Sequence, residues 1–250
     1  NIALGISALS ATCGSNNIAL GTNSMLCSTT GSNNIAMGVK AACQLTIGQD
    51  NIAIGTNAMQ CITVCCCNVV VGAYSLQSMV TGNVNTVIGA VAAQTANCVD
   101  GLVVVGSCAL QNSTTGTGLT AIGYAAMRGN KTGSNNTAVG YQSLICATQG
   151  CNNTAIGFGA MCNIDNSFCN TAVGMLAMGS ASAGCCATAN VAMGYAALCA
   201  NGSGNNNVAN IDNDGSQYTN LAFSNNGTEK AAIYWNNSQS YLYLIVIGVS

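Results

Sequence analysis

The chain is 250 residues long and half apolar, with four cations, six acidic residues, no histidine, no proline and a net charge of −2. Lys40, Arg128, Lys131 and Lys230 are scattered, so the basic footprint of a nucleic-acid binder is absent. The apolar half excludes a charge-rich disordered chain, and so little surface charge favours self-association over a free monomer.

From the first residue onward the chain repeats one phrase. Anchored on its glycine, the phrase falls at Gly5, Gly21, Gly38, Gly55, Gly72, Gly89, Gly106, Gly123, Gly140, Gly157, Gly174 and Gly194, and nine of the eleven intervals are 17 residues. A fixed period of this size marks units that cannot bury an apolar face alone and must stack on their neighbours. No initiator Met or leader precedes the first motif at Asn1, the expectation for a processed chain or a fragment.

Within each copy, the residue before the glycine is bulky and apolar, as in Ile54, Ile88, Ile122, Val139 and Ile156, and is expected to be buried in every rung. The residue before that is Ala or Val, and the third after the glycine is Ala or Ser, two sterically restricted columns. The fourth after the glycine is Leu, Met or Ala, for example Leu76, Leu144 and Met161. Short runs rich in Ile, Val and Thr, bounded by Asn and Gly, read as strands, and the N-N, G-S-N and T-T-G clusters as tight turns. The expected fold is all-β: a parallel β-solenoid over residues 1–204, about twelve rungs of two short strands and two turns. Stacked at ~4.8 Å, these make a rod on the order of 55 Å long. Because both the small and the bulky strand columns are apolar, one face is expected in the coil's lumen and the other against a second chain, giving a side-by-side homo-oligomer.

The phrases NTAVGYQSL at 136–144 and NTAIGFGAM at 153–161 resemble the head repeats of trimeric autotransporter adhesins and the fibre and tail-fibre repeats of phages and large DNA viruses. The resemblance covers residues 1 to about 200. It implies a left-handed parallel β-roll, three chains packed into a rod, and a role in adhesion or surface display.

Sixteen cysteines point to an oxidising compartment. Many fall five or six, or eleven or twelve, residues after a motif glycine, at the two turn regions. Equivalent Cα atoms of adjacent rungs lie within disulfide reach, so Cys27 with Cys43, Cys146 with Cys162 and Cys151 with Cys169 are candidate staples. Cys65, Cys66 and Cys67 cannot all point inward, so at least one is a candidate interchain bridge; free, buried thiols are the alternative throughout. Early disulfides would jam passage through an outer-membrane pore, which favours a virion fibre or another extracellular filament over an autotransported head.

Catalytic chemistry finds little support. Asp50, Asp100, Asp165, Asp212, Asp214 and Glu229 are the available bases and read as turn residues; no Cys-x-x-Cys pair and no phosphate loop occurs. No cofactor is expected except, weakly, calcium: Asn210, Asp212, Asp214 and Gly215 match the first half of a calcium loop whose twelfth position is Leu221, not Glu. Thr120, Thr137, Thr154 and Thr171 form a short column that allows an ice-binding reading, although other rungs place Ile or Val there. Seven Asn-x-Ser/Thr sequons occur, at Asn112, Asn130, Asn135, Asn152, Asn201, Asn226 and Asn236.

After Gly194 the repeat gives way to a Gly/Asn linker and then to KAAIYWNN and SYLYLIVIGV, two strand-like runs holding Tyr234, Trp235, Tyr241 and Tyr243. Residues 205–250 are thus expected to form a β cap or a junction with the next subunit. The apolar run at 241–248 is far short of the ~20 residues of a membrane helix. The expected function is a structural fibre segment of an extracellular or virion surface, its partner being further copies of itself as a homotrimer or end-to-end filament. An adhesin head recognising a host receptor or glycan is the alternative, with ice binding third.

Overall fold

A computed structural model describes residues 1–11, 14–179, 187–199, 205–210, 218–225, 228–236 and 241–245. Its strands are β1 (Ile2–Leu4), β2 (Ile18–Leu20), β3 (Ile35–Met37), β4 (Ile47–Gln49), β5 (Ile52–Ile54), β6 (Val64–Cys66), β7 (Val69–Val71), β8 (Thr86–Ile88) and β9 (Val103–Val105). They continue as β10 (Thr120–Ile122), β11 (Thr137–Val139), β12 (Thr154–Ile156), β13 (Thr171–Val173), β14 (Val191–Met193), β15 (Val208–Asn210), β16 (Tyr218–Asn225), β17 (Thr228–Asn236) and β18 (Tyr241–Ile245). Thirteen of them form one parallel sheet, β1-β2-β3-β5-β7 and onward to β15, so the chain is a parallel β-solenoid. Register follows the repeat: Ile18 faces Ile35, Thr120 faces Thr137, and the extra three residues before β14 are absorbed without breaking it, since Thr171 faces Val191. The ladder continues through β15, beyond residue 204, with Val191 facing Val208.

Each rung carries one three-residue strand on this sheet rather than the expected two. Among the described residues of the repeat region, a second strand exists only where β4 pairs with β6. Elsewhere the chain leaves the glycine through consecutive turns in which the second and fourth residues take positive φ, such as Asn57 (56°) and Met59 (53°). This conformation is uncommon outside glycine. Here it sends successive amides in opposite directions along the rod: Asn57 N–H donates to Val39 O one rung back (2.9 Å), and Met59 N–H donates to Ser75 O one rung forward (3.1 Å). Backbone pairing is therefore kept without a second strand. The glycine column has a separate cause. Gly55 has φ +132°, and a Cβ there would stand 2.6 Å from the carbonyl carbon and oxygen of Gly72 in the next rung.

The lumen reverses one expectation. Strand residues alternate between faces, and it is the small central residue that points inward: Ala19, Ala36, Ala53, Val70, Val87, Val104, Ala121, Ala138, Ala155 and Ala172 are fully buried. The bulky column expected in the core faces out, with Ile88 40 % and Ile156 39 % exposed, Ile122 exposed as well, and Ile54 and Val139 half-buried. Ala holds that central position in most rungs and Val in three, and the larger apolar filling comes from the turn run. Met25, Met59, Leu76, Leu110, Leu144 and Met161 are fully buried there, as are Leu45, Ile62 and Met79.

A second core column is polar. In most rungs the residue four before the glycine is a buried asparagine, and these stack into a ladder. Asn34 Nδ2 donates to Asn17 Oδ1 (3.1 Å) and to Gly48 O (2.8 Å), while Asn34 Oδ1 accepts from Asn51 N (3.0 Å) and Asn51 Nδ2 (3.0 Å). Two donors and two acceptor sites are all satisfied, which is what makes a buried amide tolerable. The ladder runs Asn17 to Asn85, is interrupted by Leu102 and Leu119, and resumes from Asn136 to Asn207.

Beyond β15 the backbone forms a three-stranded antiparallel meander, β16-β17-β18. Two of these strands match the expected runs, and β16 had no sequence signal of its own. Tyr234 faces Tyr243 and Asn236 faces Tyr241 in the Cα register, so the C-terminal aromatics share two adjacent strands.

Candidate interaction surface

Two outward columns form one uncharged face. The first strand residues run Ile18, Ile35, Ile52, Val69, Thr86, Val103, Thr120, Thr137, Thr154 and Thr171, mostly half-buried. The third strand residues are the displaced bulky column described above. No Lys, Arg, Asp or Glu stands in either of them or in the column after the glycine. Thirteen rungs at ~4.8 Å and three residues at ~3.3 Å make this face about 60 Å by 10 Å, on the order of 600 Å². Monomeric proteins rarely leave so large a contiguous apolar patch uncovered. The threonines Thr120, Thr137, Thr154 and Thr171 do stack in register, alongside the outward Ile and Val column.

Beside this face, past the glycines, lies a strip that does not repeat along the whole rod. The residue after the glycine is Thr22, Val39, Thr56, Ala73, Ala90 and Ser107 in earlier rungs, then Tyr124, Tyr141, Phe158, Met175 and Tyr195. Tyr124 and Tyr141 stack with centroids 5.2 Å apart, and Tyr141 and Phe158 at 5.3 Å with planes only 5° from parallel. The three rings are 46 %, 45 % and 50 % exposed. This strip was legible in the sequence as aromatics at intervals of 17, a signal that the earlier columns masked.

A second, half-buried polar ladder spans four rungs: Gln77 Nε2 donates to Gln60 Oε1 (2.9 Å), Gln94 to Gln77 (3.1 Å) and Gln111 to Gln94 (3.3 Å). Like the asparagine ladder, it had no counterpart in the sequence reading.

All described cysteines are free thiols. The proposed staples are out of line for a specific reason: rungs repeat at 17, so the residues stacked on Cys27, Cys146 and Cys151 are Gln44, Asn163 and Phe168. Cys43, Cys162 and Cys169 each sit one column to the side. The backbones still touch, with Cys27 N–H donating to Cys43 O (3.0 Å) and Cys169 N–H to Cys151 O (3.1 Å). The triple run divides as its strand alternation requires. Cys65 points into the core, its thiol donating to Asn51 Oδ1 (3.4 Å), and burial pushes its pKa up to about 12. Cys66 is half-buried and Cys67 exposed, bordering a shallow cleft of about 330 Å³ with Ile47 and Val64. The hydrogen bond between Cys66 and Cys67 raises the Cys67 thiol.

Asp50, Asp100 and Asp165 serve turns, whereas Glu229, expected in a turn, lies in β17. Asp50 accepts from Asn33 Nδ2 (3.1 Å), Asp100 from Asn83 N (2.6 Å), and Asp165 from Thr148 N and Asn166 N (each 2.9 Å). Burial works to raise the Asp165 pKa, but these bonds and Lys131 bring it below the usual carboxylate value. Among the described residues no three His, Cys, Asp or Glu side chains are grouped to hold a metal, and no helix is long and apolar enough to cross a membrane. Of the calcium candidates, Asn210 ends β15, while Asp212 and Asp214 lie outside the described residues. Sequon residues Asn112, Asn135 and Asn152 are exposed and Asn130 is buried. No protein-family model matches the chain, and no curated protein or solved structure is similar to it.

Proposed function

We propose that the chain is the rod segment of a homo-oligomeric structural fibre on an extracellular or virion surface, with three chains packed side by side. The observation that carries this reading is the uncharged apolar outer face of the 13-stranded sheet. Its area, on the order of 600 Å² per chain before the flanking columns are added, approaches the ~800 Å² per partner of a standard stable interface. The buried asparagine ladder and the glycine stack, with the shorter half-buried glutamine ladder, give a stiff unit, and stiffness is what a fibre asks of its shaft. The C-terminal meander, with Tyr234, Trp235, Tyr241 and Tyr243 on neighbouring strands, is the proposed junction to the next unit along the fibre.

The test is native mass by light scattering. A trimer is three times the 24.9 kDa chain mass, and replacing two outward residues, Ile88→Lys with Ile122→Lys, should release monomers that keep their β spectrum. A monomeric wild-type chain, or a mass unmoved by the two lysines, would refute the reading.

A second reading has its own support. The aromatic strip from Tyr124 to Phe158 is confined to part of the rod, as a recognition surface would be and a purely structural repeat would not. On this reading the rod is also an adhesive head.

A further inference from the structure

We infer that the strip formed by Tyr124, Tyr141 and Phe158 is a binding site for an extended, neutral, β-linked glycan that lies along the rod axis with about one sugar per rung. The inference deepens the adhesive reading and holds whether the rod contains one chain or three.

Ring geometry is the first support. Neighbouring rings are close to parallel, 19° and 5° apart, yet their centroids are 5.2 and 5.3 Å apart. Carbon atoms in contact sit ~3.5–4.0 Å apart, so rings in contact at this centroid spacing must be slipped like leaning tiles, each leaving part of a face uncovered. About half of each side chain is open to solvent. Partly bare aromatic faces in a row are suited to the C–H faces of pyranose rings, and the 5.2–5.3 Å step is close to the advance of one hexose in an extended β-1,4 chain.

Charge decides which glycan. At the three rungs of the strip the flanking positions carry no ionisable cation: Lys40, in the column after it, stands five rungs away, and Arg128 and Lys131 stand five and eight residues past Gly123, in other columns of the coil. An anionic polysaccharide would find no counter-charge here. Neutral hydrogen-bonding groups are at hand instead, with Gln142 adjoining Tyr141 in the chain and the two phenolic hydroxyls of Tyr124 and Tyr141 on the strip itself. A mostly apolar, aromatic surface with a few orienting polar groups is the usual make-up of a small-molecule site. The strip also stands past the glycines, where the chain has left the strand, so it lies beside the flat face assigned to chain packing rather than on it.

The experiment is calorimetric titration of the full chain with β-1,4-linked glucose and N-acetylglucosamine oligomers, three and six sugars long. Saturable binding of at least one hexasaccharide is expected, retained in good part by its trisaccharide and at least tenfold weaker in Tyr141→Thr and Phe158→Thr. Threonine already occupies this column at Thr22 and Thr56, so both variants should fold, which circular dichroism and the thermal midpoint would verify. Absence of saturable binding to both hexasaccharides would overturn the inference, as would binding that ignores both substitutions. A fall in native mass on Tyr141→Thr would overturn it too, because the strip would then be a contact between chains. A wild-type monomer that binds the sugar would sink the oligomeric reading and leave this one standing.

Discussion

Removing one rung of the asparagine ladder should cost far more than any surface asparagine. Asn153 Nδ2 donates to Asn136 Oδ1 (3.1 Å) and Ser167 O (2.7 Å), and Asn153 Oδ1 accepts from Asn170 N (3.0 Å) and Asn170 Nδ2 (3.1 Å). Asn153→Ala deletes all four. Two of the partners keep a bond, since Asn136 Oδ1 still accepts from the residue-153 amide and Asn170 Nδ2 still donates to Ala187 O. The Asn170 amide loses the acceptor shown for it. Four bonds at ~1 kcal/mol net each, with one buried donor left stranded, give a loss of about 3–5 kcal/mol. Urea unfolding would measure the whole, and hydrogen exchange at the Asn170 amide would localise it, with protection falling by about two to four orders of magnitude if local opening follows the lost free energy. Asn152→Gly is the control, because Asn152 is exposed at φ +59°, a conformation glycine adopts freely. A loss below about 1 kcal/mol, or one no larger than the control's, would show that the ladder does not support the coil.

Other outcomes follow from the same geometry. Gly55→Ala combines a φ of +132° with a Cβ 2.6 Å from the Gly72 backbone, so it should destabilise by about 3 kcal/mol or more and lower the thermal midpoint, whereas Gly101→Ala, with open space around its Cβ, should cost about 1 kcal/mol. Cys67 should react with iodoacetamide in the folded chain while Cys65 stays protected, as peptide mass mapping would read; equal labelling of the two would contradict the inward placement of Cys65. Because the Cys65 pKa is raised, the folded chain holds a proton that the unfolded chain gives up at lower pH. Its contribution is full below 9.0 and is lost as pH rises from 9.0 towards about 12, so wild-type stability should decline over that window more steeply than that of Cys65→Ala.

The contrast between sequence and structure is sharpest in the strands. From Thr154-Ala155-Ile156 alone the alternation of faces is certain, but which face is inside is not, because both Ala155 and Ile156 are apolar. Hydrophobicity argued for burying the isoleucine; the width of a 17-residue coil decided for the alanine. Asn153 reads as a turn residue by propensity, and only its stacking on Asn136 and Asn170 turns it into a buried, fully bonded core group. The turn run was misread as a second strand for a related reason: amides alternating along the rod bond between rungs in either conformation, and positive φ at Asn57 and Met59 has no marker in side chains that include Met and Leu. The cysteine pairs stand one column off the 17-residue register, at spacings of 16 and 18, and their thiols are free.

By itself, then, the sequence determined the period, the parallel stacking, the glycine column and the absence of charge on the repeat columns flanking each glycine. These are properties of a one-dimensional pattern, repeated often enough to admit a single stacked solution. Only the tertiary structure decided the sign of each face, the inward asparagines and the alignment of Tyr124, Tyr141 and Phe158 into a stacked strip. Those depend on how much room one closed coil leaves inside, a quantity set by all seventeen residues of a rung together and written in none of them singly.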